Sequence, residues 1–155
     1  MFRKMRDVGE PLTREESIKM LETQKHGTLA VNGDNGYPYS VPISFVYIDG
    51  KIIFHGANTG HKLDSIKKDE KVSFSLIEQD NIIPEDFNTL FRSVIVFGKI
   101  KVLKSDEERK SGLMAIIKKY SADFMEDGEK YAEESWDQVA VMELEIEHLT
   151  GKKGN

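Results

Sequence analysis

The chain has 155 residues, 22 Lys and Arg against 27 Asp and Glu, a formal charge of −5, and no cysteine. That length supports one sizeable core, so a single domain is expected over residues 1–155. The acidic balance argues against a nucleic-acid binder, which draws its affinity from clustered Lys and Arg. Without cysteine there is no disulfide framework, no thiol chemistry and no Cys-based zinc or iron–sulfur site. No apolar run approaches the roughly 20 residues needed to cross a bilayer. Arg3, Lys4 and Arg6 are followed by Asp7, Glu10 and Pro11, where a signal peptide would carry its apolar stretch. The expectation is a cytoplasmic protein with no membrane partner.

Thr13 followed by Glu16 fits a capping box and predicts a helix over 14–25. A strand over 28–31 follows, and the turn formers of 32–36 predict a hairpin connection. From Tyr39 the pattern alternates, with Val41, Ile43, Phe45 and Tyr47 on one face and Ser40, Pro42, Ser44 and Val46 on the other. Pro42 cannot donate to a ladder and belongs at an edge or a bulge. Asp49-Gly50 is a tight turn into a strand over 51–55, and Leu63 with Ile66 gives a short helix one side to bury.

A strand is expected over 72–77, then a long aperiodic loop over 78–90. Residues 94–103 read as the strongest strand. Ser105 with Glu108 repeats the capping signal, and Leu113, Ile116, Ile117 and Tyr120 form a helical stripe. Lys67-Lys68 and Lys118-Lys119 read as solvated helix faces. After a second irregular stretch, 139–146 alternates as a last strand. Six strands joined mostly as hairpins, with two or three helices, predict a mainly β, antiparallel barrel with peripheral helices. Periodicity alone does not separate a closed barrel from a sandwich or an OB-like fold.

The segment Ile52-Ile-Phe-His-Gly-Ala-Asn-Thr-Gly-His-Lys62 carries the most chemistry. An apolar strand enters a loop with two glycines, two histidines and a lysine, and a helical pattern follows. Gly56 and Gly60 permit close approach of the backbone to a ligand. Lys62 falls near a helix start, where free N–H groups favour an anion. His61 and Lys62 then read as phosphate ligands, although the same residues also suit a plain strand-to-helix connection with a solvated lysine. His55 and His61 lack a carboxylate at ligand spacing, and His26 and His148 read as structural or surface residues, so no metal site is expected.

Five separated motifs carry a family resemblance: Arg3-Lys4-Met5-Arg6-Asp7, Gly36-Tyr37-Pro38-Tyr39-Ser40-Val41-Pro42, Phe54-His55-Gly56-Ala57 with Gly60-His61-Lys62-Leu63, Arg92-Ser93-Val94-Ile95-Val96-Phe97-Gly98, and Leu149-Thr150-Gly151-Lys152. In order and spacing they resemble the nitroimidazole-resistance-type branch of the pyridoxamine-phosphate-oxidase-like flavoproteins, over nearly the whole chain. The resemblance implies a six-stranded split β-barrel that dimerises and holds flavin mononucleotide (FMN) at the dimer interface. It implies phosphate binding by Lys62, with His61 standing where relatives often have arginine. It lines the flavin ring with Pro42, Ile43, Ser44 and Phe45, although one alternating face of that strand must also fill the core. His55, Gly56, Ala57 and Gly60 join the cofactor-binding set, His55 beside the ring and a candidate catalytic group. Arg92 and Ser93 contact flavin from the same or the other subunit. Trp136 reads as core filler or as an aromatic lid over a partner's flavin; Phe87 and Phe91 raise the lid idea more weakly.

The function expected is that of an FMN-dependent oxidoreductase acting on a small organic, nitroaromatic-type acceptor. With no Rossmann fingerprint, NAD(P)H would dock transiently, or a reductase would serve as donor. The competing readings are a non-catalytic barrel that holds flavin or haem, with His55 as axial ligand, and an OB-like nucleic-acid binder. Failure to bind oligonucleotide at low salt would close the last.

Overall fold

The computed structural model describes residues 1–6 and 9–154, with backbone alone at 79 and 80. Asp7, the last residue of the N-terminal motif, lies outside the described residues. In chain order the elements are β1 (Glu10–Pro11), α1 (Arg14–Thr23), β2 (His26–Asn32), β3 (Pro38–Ser44), β4 (Val46–Ile48), β5 (Lys51–Ala57), α2 (His61–Lys68), β6 (Lys71–Ile83), β7 (Asn88–Val102), α3 (Asp106–Tyr120), α4 (Met125–Glu134) and β8 (Val139–Lys153).

Local signals start and stop these elements as expected. Thr13 Oγ1 accepts from Glu16 N–H at 3.1 Å while Thr13 N–H donates to the Glu16 carboxylate at 2.8 Å, closing the capping box of α1. Ser105 accepts from Glu108 N–H at 3.1 Å at the start of α3. Asp49 and Gly50 take φ of 49° and 79°, the left-handed pair that a two-residue hairpin needs.

The sheet path runs β3-β2-β6-β7-β8-β5-β4, with β1 on β8, and every pairing is antiparallel. Its two end strands, β3 and β4, are consecutive in the chain with Phe45 alone between them. Seven strands laid flat would span roughly 29 Å at the usual spacing. One residue cannot bridge that width, so the sheet curls until its edges meet at Phe45. This corner turns the sheet into the split barrel that the resemblance implies.

Among the described residues, eight strands replace the six expected. The short β1 is added, and the expected strand from Tyr39 breaks at Phe45 into β3 and β4. The apolar face is as read, with Ile43 and Phe45 buried, but Val46 on the other face is buried as well, beneath α3. The supposed loop over 78–90 is a hairpin arm. There β6 and β7 stay paired out to Ile83 and Asn88, around a turn over 84–86. Cross-strand backbone pairing runs along it, so its side chains need no apolar alternation; Ile82 and Phe87 are exposed.

Two apolar clusters hold the fold. Inside the barrel, Phe45 meets Phe74 edge-on at 4.9 Å among Leu29, Phe54, Val96 and Met142. On the outer face, Val46, Ile53 and Val141 pack against Leu113 and Ile116 of α3 and Ala132 of α4. The end of α3 also closes the corner. Tyr120 OH accepts from Phe45 N–H at 2.9 Å and shares its proton between Phe45 O at 2.6 Å and Lys25 O at 2.5 Å. Lys119 Nζ donates to Gln24 O at 2.5 Å and Phe45 O at 2.9 Å. Lys119 is therefore a half-buried latch, correcting its reading as a solvated face. Phe45 has left the sheet ladder, and its backbone groups must find partners elsewhere.

Candidate functional site

The chain leaves β5 at Ala57, two residues later than expected, so Gly56 and Ala57 pair with Ala140 and Val139 as strand residues. Asn58 is then tied down by two bonds, its N–H to Gln138 O at 3.2 Å and its Nδ2 to Asp137 O at 2.8 Å. Gly60 caps α2 with φ 128°, a conformation that side chains resist, and makes no side-chain cap. The first turn of α2 thus keeps N–H groups free of a side-chain acceptor. Asp64 in that turn offsets part of the dipole.

Lys62 stands in this turn, half-buried, with Nζ 5.4 Å from the Phe54 ring centroid and against Gly56. Among the described residues it has neither a carboxylate within ion-pair distance nor a hydrogen-bond partner. Burial pulls its pKa below the ordinary lysine value. A desolvated cation without a counter-ion is a place prepared for an anion.

His61, one residue earlier, goes elsewhere. Its ring stacks on Tyr39 at 4.2 Å, and Nε2 lies 3.7 Å from Asp34, which also pairs with Lys68 at 3.5 Å. Adjacent helix residues do not share a face. The structure thus separates the His61 and Lys62 side chains that the sequence set together.

His55 projects from the outer face of β5, as Ile53 does, and lines a cavity of about 620 Å³. Ser44, Ile116, Tyr120, Phe124, Tyr131 and Val139 line it too, giving a largely apolar, aromatic wall between β5, α3 and α4. The residue is exposed overall, yet the protein packed around its ring lowers the imidazole pKa, and the nearby Lys62 charge lowers it further. The ring is therefore neutral at pH 7, able to donate one hydrogen bond and accept another.

Pro42 and Ser44 are exposed while Ile43 and Phe45 are buried in the core. As an end strand of the sheet path, β3 leaves one row of backbone groups without a strand partner, which satisfies the edge position expected of Pro42. Arg92 is far from all of this within the chain. It pairs with Gln79 and Lys153, whereas α2 stands near the start of β6, so roughly 20 Å of strand separates them. Arg92 Nη1 lies 3.5 Å from Glu78, and its buried Nε has no hydrogen-bond partner among the described residues. Ser93 lines a hollow on the outer face of β7 and β8.

Trp136 lies under the Arg109 guanidinium at 4.1 Å, and Arg109 also donates to Trp136 O at 2.6 Å and Val139 O at 2.9 Å. It is a packed, partly buried residue of the α3–α4 layer, lining a different hollow from His55. Phe87 is fully exposed on the hairpin arm, and Phe91 packs against Gly154. Sequence reasoning missed the aromatic wall of Phe124 and Tyr131, because these residues sit in a stretch without strong periodicity. Tyr39 was visible only as part of a motif, not as the support of His61.

Comparison with known proteins places these features in a family. The family model described as pyridoxamine 5'-phosphate oxidase matches residues 13–153, and the chain belongs to that family. No curated protein matches the sequence. Among solved structures, a conserved hypothetical protein of Mycobacterium tuberculosis is similar with TM-score 0.82 and 17% identity, over 97% of this chain and 90% of that one. A candidate 5-nitroimidazole antibiotic resistance protein of Bacteroides thetaiotaomicron gives TM-score 0.73 and 16% identity, over 99% and 96%. An FAD and haem binding protein of Mycobacterium smegmatis gives 0.76 and 19%, over 92% and 72%. At such identities these likenesses show a shared fold.

Proposed function

We propose that the chain is a homodimeric, FMN-dependent oxidoreductase of the cytoplasm that reduces a small organic acceptor, nitroaromatic compounds being the class to test first. The observation that carries this reading is Lys62, a desolvated ammonium without a counter-ion in the first turn of α2. Its surroundings fit a flavin phosphate, and the open edge of β3 offers backbone groups to a flat ring. Flavin, when bound, supplies the electron transfer. The chain's own residues bind, orient and exclude water. Lys62 holds the phosphate, β3 hydrogen-bonds the ring edge, and the neutral His55 imidazole orients the acceptor. Reduced nicotinamide, or a reductase, docks transiently as donor.

Dimerisation is part of the proposal because Arg92 and Lys62 are too far apart in one chain to share a ligand. An Arg92 whose Nε has no partner among the described residues fits a flavin held by the other subunit. Absorption spectra of the purified protein, combined with light scattering, test the whole reading. Flavin bands in a dimer are expected. A monomer with full flavin occupancy would contradict the two-subunit site.

A second reading is favoured by one observation, the neutral His55 ring on an apolar, aromatic-lined cavity of about 620 Å³. That combination also suits haem with His55 as axial ligand, and an FAD and haem binding protein shares the fold. A Soret band lost in His55→Ala would select it.

A further inference from the structure

We propose that Asp127 sets the charge of the acceptor, so that the cavity at His55 takes flat aromatic cations in preference to neutral or anionic rings. The inference rests on the reading of that cavity as the acceptor site and adds what the site selects. At about 620 Å³ the cavity has the size of a small-molecule pocket. Its polar lining is the hydroxyls of Ser44, Ser121 and Ser135, the neutral His55 ring and one formal charge, the Asp127 carboxylate. No lysine or arginine lines it among the described residues. Lys119, at the end of α3, gives its donors to the barrel corner. Lys62 belongs to the phosphate pocket, where a bound anion counters its charge.

Two aromatic rings accompany this carboxylate. Phe124 just precedes α4, Asp127 and Tyr131 follow within the helix, and all three line the cavity. Both rings are largely exposed, Phe124 by 64% and Tyr131 by 68%, which leaves them open to a ligand. A ring face attracts a cation, and a carboxylate beside it adds to the attraction. Glu129 on the same helix pairs with Lys110 at 3.2 Å, whereas Asp127 forms no ion pair among the described residues. The helix carries Glu126, Asp127, Glu129, Glu133 and Glu134 against Lys130 alone, so the field along it is negative. Asp127 also complements the helix dipole from the first turn of α4. That structural role is indifferent to the charge of a ligand, which lets the two be told apart.

Calorimetric titration of the full-length protein with para-nitrobenzyltrimethylammonium, para-nitrobenzyl alcohol and para-nitrophenylacetate tests the selection. The three share a nitro-substituted ring and differ in charge. The cation is expected to bind about threefold to tenfold more tightly than the alcohol, with the carboxylate weakest. Asp127→Asn keeps the side-chain shape and drops the charge. It should weaken the cation about threefold and leave the alcohol unchanged. Tyr131→Leu, which keeps an apolar wall but removes a ring, should also weaken the cation more than the alcohol. Equal loss of cation and alcohol in Asp127→Asn would mark a structural role and overturn the proposal. Absent binding, or equal affinity of the parent for all three probes, would overturn it too. Reoxidation of pre-reduced, flavin-loaded protein by the same probes separates this inference from the reading beneath it. Charge selection in binding without reoxidation sustains the selection and sinks the oxidoreductase reading. Reoxidation without any charge preference in binding does the opposite.

Discussion

Lys62 and Lys119 have similar surroundings in the structure and opposite roles in it. Both are half-buried helical lysines over a phenylalanine ring, Lys62 at 5.4 Å from Phe54 and Lys119 at 4.1 Å from Phe45. Desolvation lowers the pKa of both, that of Lys119 to about 8. Lys119 spends its donors on two backbone carbonyls at the barrel corner. Lys62 has no partner among the described residues. A satisfied half-buried amine is part of the fold, whereas an unsatisfied one at a helix start is part of a site. The contrast also explains why one is a latch that the corner requires and the other can change without harming the barrel.

Substitution of each lysine should separate the two roles cleanly. Lys62→Ala is expected to weaken FMN binding by about tenfold to a hundredfold, the worth of one charge-assisted phosphate contact. In the absence of ligand it should leave stability unchanged or raised, since it removes a desolvated charge. Lys119→Ala should do the reverse. The half-buried Gln24 carbonyl loses its donor, though Phe45 O keeps Tyr120 OH, costing about 1–3 kcal/mol, while flavin affinity per folded molecule stays at the parental value. Denaturant unfolding with flavin titration reads both. Loss of stability in Lys62→Ala equal to that in Lys119→Ala would erase the distinction.

The pH dependence sharpens the same comparison. Lys119 has a folded pKa of about 8 against the ordinary 10.5. Between those values the unfolded chain binds more protons than the folded one, so stability contributed by this group rises with pH. The rise begins near pH 8 and is complete above the unfolded value. Tyr120, whose pKa burial raises, works against it only from about pH 10 upward. Unfolding curves between pH 7.5 and 9.5 should therefore show stability climbing in the parent more than in Lys119→Gln. Equal slopes would mean that the amine is not desolvated as its surroundings indicate.

What the sequence made legible follows the range over which each signal acts. The capping box at Thr13, the Asp49-Gly50 turn and the alternation around Ile43 act within a few residues, and all appear in the structure. The barrel corner does not show itself, because nothing near Phe45 announces that its neighbours in the sheet are the two ends of the path. Lys119 reads as solvent-facing beside Lys118, and only the docking of α3 on that corner buries it. Helix α4, within a stretch read as irregular, has few apolar residues and a glycine. Gly128 is there because a Cβ would come 2.5 Å from Ile117 of α3, a close approach that no local pattern encodes. Lys62 was visible through its motif, and its lack of a counter-ion became visible only in three dimensions.

The smallest expected effect is also the one that links Lys62 to the chemistry beside it. His55 owes its lowered pKa first to burial and then to the positive charge of Lys62. Removing that charge should let the imidazole rise toward its ordinary value, while the burial contribution keeps it from arriving there. Lys62→Ala, read by the pH dependence of the His55 ring signals in NMR, should therefore show a modest upward shift. A phosphate bound at Lys62 adds negative charge at the same place and should move His55 in the same direction in the parent protein. FMN would then change the protonation of the residue facing the acceptor cavity, coupling occupancy of the phosphate pocket to proton availability at the ring. An imidazole pKa unmoved by both the substitution and inorganic phosphate would show that the two groups are electrostatically independent. His55 would then owe its neutrality to burial alone, and the phosphate pocket would have no influence on the acceptor side.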